Sequence, residues 1–176
     1  MMIRNRGFTL LELIVAMAVT TILLTLGLPP FTATLQQNCV VSGANAMLVV
    51  LTRARDEAVT RNASVSICKS SDGLQCAHGS AASWTQGFVT FADPDRDGIL
   101  APTEKVLAVN APFLPCASLS SSYANFVSFN SEGVANSNGN FFVKANAAPA
   151  VNRKVVIFIG RVRICNPQTD SNCRLP

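Results

Sequence analysis

Hydrophobic and polar positions change their rhythm three times along this chain. Residues 8–28 are apolar throughout, apart from threonines, one glycine and the single carboxylate of Glu12. At a rise of about 1.5 Å per residue, a helix of this length crosses a hydrocarbon layer of about 30 Å. Pro29 and Pro30 close the run. Over residues 31–62, Val40, Ala44, Met47, Leu48, Leu51, Ala54 and Ala58 recur at three- and four-residue steps, which predicts an amphipathic helix. Arg53, Arg55, Asp56, Glu57 and Arg61 fall largely off that stripe. Beyond residue 62 the period drops towards two, and β-rich runs predict strands at 64–68, 87–91, 105–109, 126–129, 140–144 and 154–165, the last broken at Gly160. Asn138-Gly139 is a tight-turn signal between the strands near Phe129 and Phe142, and the Ser/Asn/Gly-rich patches at 117–125 and 130–140 read as loops. The pattern predicts an α+β fold, a long helix packed on an antiparallel sheet.

Charge changes the picture at the two ends. Arg4 and Arg6 precede the apolar run and favour a cytoplasmic N-terminus, leaving the rest of the chain outside. The run has neither the length of a secretory signal's apolar core nor a cleavage site after it, so processing is expected before it. Glu12 is costly inside a bilayer, by about 2.5 to 3.5 kcal/mol, and needs a partner. Cleavage after Gly7 would place a new amine on Phe8 one helical turn away, and the same amine on a neighbouring subunit would neutralise Glu12; the plainer alternative is that Glu12 snorkels to the cytosolic interface.

The stretch Gly7-Phe8-Thr9-Leu10-Leu11-Glu12 resembles the processing site of type IV pilins and type II secretion pseudopilins. The resemblance implies cleavage after Gly7 by prepilin peptidase, methylation of Phe8, and use of Glu12 to guide the subunit into a filament of other pilins. Pro29 matches that family's helix-weakening proline. The implied organisation is a cleaved leader at 1–7, a transmembrane and filament-core helix at 8–30, an amphipathic helix at 31–62, and a β-rich periplasmic domain at 63–176. The implied location is the inner membrane, crossed once, and then a pilus or pseudopilus.

Six cysteines in an exported chain read as disulfides. Closure of short loops pairs Cys68 with Cys76 and Cys165 with Cys173, which leaves Cys39 for Cys116, although sequence alone leaves the connectivity open. The Cys-x-x-Cys pairs typical of zinc sites are absent. Asp93, Asp95, Asp97, Gly98 and Glu104 fit the calcium-loop template Asp-x-Asp-x-Asp-Gly with a later Glu. Their flanks read as strands where an EF-hand has helices, which favours a polar connecting loop over a metal site. His78, the single histidine, lies in a loop with no nucleophile or paired acid marked near it. The reading is therefore of a peptidase substrate, not an enzyme, and no cofactor is expected.

The order of the inner motifs narrows the resemblance. Residues 51–62 followed by a strand ending in Cys68, Trp84 before Gly87-Phe88-Val89, the acidic turn from Asp93, Phe129-Asn130-Ser131-Glu132-Gly133 and Gly160-Arg161-Val162-Arg163-Ile164-Cys165 are together similar to the FimT/GspH group of minor pilins and pseudopilins. In an extended chain Arg161 and Arg163 project to one side, about 6.6 Å apart. The whole chain carries a net charge of only +4, but the tail concentrates Arg153, Lys154, Arg161, Arg163 and Arg174 against Asp170 alone. The FimT resemblance implies DNA capture in natural transformation by this Gly-Arg-x-Arg end, with Gly160 letting a phosphate backbone approach and Arg153, Lys154 and Arg174 widening the patch. Contacts of that kind read charge, not sequence. A solvated strand face paired with Asp170 is the other open reading of the tail, and a GspH-like pseudopilin of a type II secretion system is the other open reading of the chain.

Overall fold

The computed structural model describes residues 7–79, 82–148, 151–170 and 173, with the side chains of 25–31 outside the described set. The chain divides into two compact units, Met1–Leu35 and Gln36–Pro176. Helix α1 spans Leu10–Arg61, Pro29 and Pro30 included.

In the first unit Thr9 caps the helix. Its hydroxyl accepts from the Glu12 N–H at 3.2 Å and its carbonyl from the Leu13 N–H at 3.2 Å. Thr-x-x-Glu is the sequence form of a helix-starting capping box, and a carboxylate in the first turn complements the helix dipole. Glu12 therefore suits the start of this helix whatever else it does. Thr20 and Thr21 return their hydroxyls to the carbonyls of Ala16 and Met17, so neither leaves an unpaired donor on the apolar surface.

Among the described residues the second unit holds the rest of α1 and eight strands: β1 Val65–Lys69, β2 Phe88–Ala92, β3 Val106–Asn110, β4 Ala117–Ser121, β5 Phe126–Phe129, β6 Gly139–Ala145, β7 Asn152–Phe158 and β8 Arg161–Cys165. The helix stops at Asn62 in the left-handed region, φ 50°. Asn62 N–H bonds the Val59 carbonyl and Ala63 N–H the Ala58 carbonyl, the paired closure of a Schellman end.

The strands form two four-stranded antiparallel sheets, ordered β3-β2-β1-β5 and β4-β6-β7-β8, where the sequence pattern suggested one. Strand β4 lies in a stretch read as a loop. Its Ala-Ser-Leu-Ser-Ser composition is poor in β-formers, yet Ala117 and Leu119 alternate inward and pair with Ala145 and Val143. Asn138-Gly139 makes no hairpin, because β5 and β6 belong to different sheets. Gly139 begins β6 where a Cβ would lie 2.4 Å from the Tyr123 ring, and Asn138 Oδ1 accepts from Ile159 N–H at 2.9 Å.

One core joins the helix and both sheets. Val40, Ala44, Met47, Leu51, Ala54 and Ala58 meet Val65, Ile67, Val127 and Phe129 of the first sheet and Phe141, Val143, Val155 and Ile157 of the second. Leu48, expected on the stripe, is only half-buried. Trp84 closes one end, edge-on to Phe141 at 4.9 Å, with its indole N–H donating to the Tyr123 carbonyl at 3.0 Å. The bridges are Cys39–Cys116, Cys68–Cys76 and Cys165–Cys173. The first ties α1 to the segment before β4, across a sequence separation of 77.

Candidate functional site

Gly7, Phe8 and Thr9 precede the helix and are exposed. Arg4 and Arg6 lie outside the described residues. Every described side chain from Phe8 to Leu24 is exposed, Phe8 by 82% and Leu24 by 57%, so this apolar surface has no cover among the described residues of its unit. Among the described residues no helix is long and apolar enough to cross a membrane. The span expected over 8–28 runs into 25–31, whose side chains are outside the described set.

The C-terminal basic residues are ordered by the β7-β8 hairpin. Its two-residue turn, Ile159-Gly160, has φ 48° and 76°, the doubly left-handed form that matches strand twist. Phe158 pairs with Arg161 and Val156 with Arg163. Strand β8 alternates as expected: Arg161 and Arg163 are exposed, while Val162 and Ile164 pack on the core.

Gly160 has a different role from the one read in the sequence. It is buried, and a Cβ there would lie 2.0 Å from the Gly133 carbonyl oxygen. The space beside it is filled by this chain's own backbone, so no phosphate approaches through it. The neighbouring notch is lined by Thr52, Arg55, Ile159, Gly160, Arg161 and Val162. Arg55 was read only as a helix charge; its Nε donates to the Gly133 carbonyl at 3.0 Å, which holds a third guanidinium beside Arg161.

Register also re-sorts the supporting cations. Lys154 pairs with Cys165 and Phe142, placing it on the same outward face as Arg163. Its ammonium donates to the Cys173 carbonyl at 3.2 Å. Arg153 pairs with Val143, which is buried, and so falls on the inward parity of β7; it does not widen the patch. Its place is taken by Lys144 on β6, exposed and outward, 4.8 Å from the centre of the Phe142 ring. The period-two pattern of 139–145, apolar at odd positions, carried the signal for Lys144. Arg161, Arg163, Lys154 and Lys144 then run diagonally over three strands in steps of about 7 Å, with Phe158 beside Arg161 and Phe142 beside Lys154. Arg174 lies outside the described residues. The Cys165–Cys173 bridge packs on Val156.

At the other sheet, Asp93, Asp95 and Asp97 bring carboxylate oxygens within 4.8 Å of one another in the β2-β3 loop. Burial pushes the Asp93 carboxyl above the usual carboxylate range, and burial together with the charges of these three aspartates does the same to Glu104. His78 is exposed, two residues beyond the loop that Cys68–Cys76 closes.

The family described as Type II transport protein GspH matches residues 43–171, and the prokaryotic N-terminal methylation motif matches residues 2–28. No curated relative matches the sequence. Two crystal structures of the type IV minor pilin FimU from Pseudomonas aeruginosa (strain PAO1), in different space groups, share this fold. Each is 20% identical; the TM-scores are 0.57 and 0.54, over 78% and 76% of this chain and 96% and 98% of theirs. The methylation motif marks a substrate of prepilin peptidase. With that motif on the helix and the family match over the domain, the chain belongs to the pilin-like GspH family, as a minor pilin or pseudopilin of a type IV pilus or a type II secretion system.

Proposed function

We propose that this chain is a FimT-like minor pilin of a type IV pilus that binds DNA without regard to sequence and serves DNA uptake in natural transformation. The observation that carries the proposal is the outward line of Arg161, Arg163, Lys154 and Lys144 on one sheet face. Cations on neighbouring strands match a polyanion better than they match one another, and their contacts go to phosphates. Phe158, exposed beside Arg161, offers a ring on which a base can stack. One subunit makes few contacts and binds weakly; several in one fibre bind by avidity.

Assembly uses the first unit. Cleavage between Gly7 and Phe8 frees an amine that pairs with Glu12 of a neighbouring subunit, and the exposed apolar surface passes from the inner membrane to the filament core. The chain before cleavage crosses that membrane once, with its sheets in the periplasm.

A second reading, a pseudopilin of a type II secretion system, is favoured by the GspH description of the matching family. The two separate in a deletion strain: loss of transformation with normal protein secretion supports the first, and the reverse supports the second. For DNA contact, the full chain in detergent should retard DNA on a native gel at physiological salt, and Arg161→Ala with Arg163→Ala should abolish retardation while leaving the circular dichroism spectrum unchanged. Equal retardation by the double variant rules out this face as the DNA site.

A further inference from the structure

The β2-β3 loop gathers carboxylates and leaves two of their oxygens without a donor. Asp93 leaves β2 fully buried. Its Oδ2 accepts from Ser66 Oγ and from the Gly98 N–H at 3.1 Å, while its Oδ1 is buried with no partner. At the far end of the loop Glu104 accepts the Ala101 N–H at 2.8 Å with Oε2, and its Oε1 is likewise buried and unpartnered. A buried carboxylate oxygen without a donor is unfavourable, and here two share one loop with the exposed acids Asp95 and Asp97.

We propose that this loop binds a calcium ion through Asp93, Asp95, Asp97 and Glu104. The four sit at the first, third, fifth and twelfth positions of a twelve-residue calcium loop, with glycine at the sixth. Gly98 meets that requirement in space: its φ is 71°, and a Cβ would lie 2.3 Å from the Phe126 ring. Strands replace the usual flanking helices, which changes what the loop is bolted to and not the order of its ligands. All the side-chain ligands are oxygens, as a hard cation prefers, and an irregular loop suits the flexible coordination of calcium better than the strict octahedron of magnesium. The ion supplies the positive partner that Asp93 Oδ1 and Glu104 Oε1 lack.

The loop also carries Leu100 onto the small cluster of Cys68, Val89 and Phe91 on the outer face of the first sheet. Calcium would therefore order the cover of that cluster and raise the stability of the unit by mass action.

Calorimetric titration of the chelator-treated full chain in detergent tests this. With calcium chloride, saturable binding of one ion per chain is expected, with a Kd between about 10⁻⁵ and 10⁻³ M, together with a rise in melting temperature. Magnesium chloride should bind at least about tenfold more weakly. Asp95→Asn with Asp97→Asn, both exposed, should abolish the heat and the melting shift while keeping the calcium-free circular dichroism spectrum; Asp97→Asn alone should weaken binding by about tenfold or more. The proposal is overturned by no saturable heat up to about 10 mM calcium, by magnesium binding as tightly, or by unchanged binding in the variants.

Discussion

The two sheets share a core and treat their outer faces in opposite ways. The first hides its outer face: Cys68, Val89 and Phe91 lie under Cys76, Leu100 and Phe126, the first two of which belong to loops of the same sheet. All five residues of β1 are buried. The second leaves β8 and the end of β6 open, and sets Arg161, Arg163 and Lys144 in solvent. Acids gather where the first sheet is covered and bases where the second is bare. A sheet covered by its own loops has room for a small ion between them, whereas a bare cationic face has room for a polymer.

The largest expected effect tests whether inner and outer faces differ as β6 implies. Phe141 is fully buried between Trp84 and Tyr123, so Phe141→Ala should cost about 3 to 5 kcal/mol in chemical denaturation. Phe142, its neighbour on the outward face, should cost less than about 1 kcal/mol on the same change. Similar losses at both positions would remove the distinction. A smaller effect is expected at the turn. Gly160→Ala must push the Gly133 carbonyl aside and hold a left-handed φ, at about 1 to 3 kcal/mol; if instead it leaves stability unchanged and weakens DNA binding, the glycine serves a ligand after all.

These positions also mark what the sequence could tell. The processing motif is legible through its resemblance to a known family, while the stripe on α1, the exposure of Arg161 and Arg163 and the positions of most strands follow from local periodicity, which needs no knowledge of partners. Whatever depended on the pairing of distant strands was hidden. The division into two sheets, the existence of β4 and the separation of β5 from β6 are set by long-range register, and a serine-rich strand gives little local sign of itself. Gly160 was read as an opening because the chain segment that fills it, Gly133, lies 27 residues earlier. Arg153 and Lys154 are adjacent in sequence and therefore on opposite faces of a strand, a rule that could have excluded Arg153 once the parity of Val155 and Ile157 was fixed. The acidic loop was discounted for lacking helices; the two orphaned oxygens became visible only in three dimensions.

Salt dependence of DNA affinity tests the central claim most directly, because each phosphate contact adds a countable increment to the slope. For four cations, log affinity against log salt should fall with a slope of about 3.6 in magnitude on duplex DNA, and Arg161→Ala, Arg163→Ala or Lys144→Ala should each remove about 0.9. Arg153→Ala, on the inward parity, should leave the slope unaltered. A slope as sensitive to Arg153 as to Arg161, or insensitive to all four, would contradict the assignment of DNA contact to the open face of the second sheet.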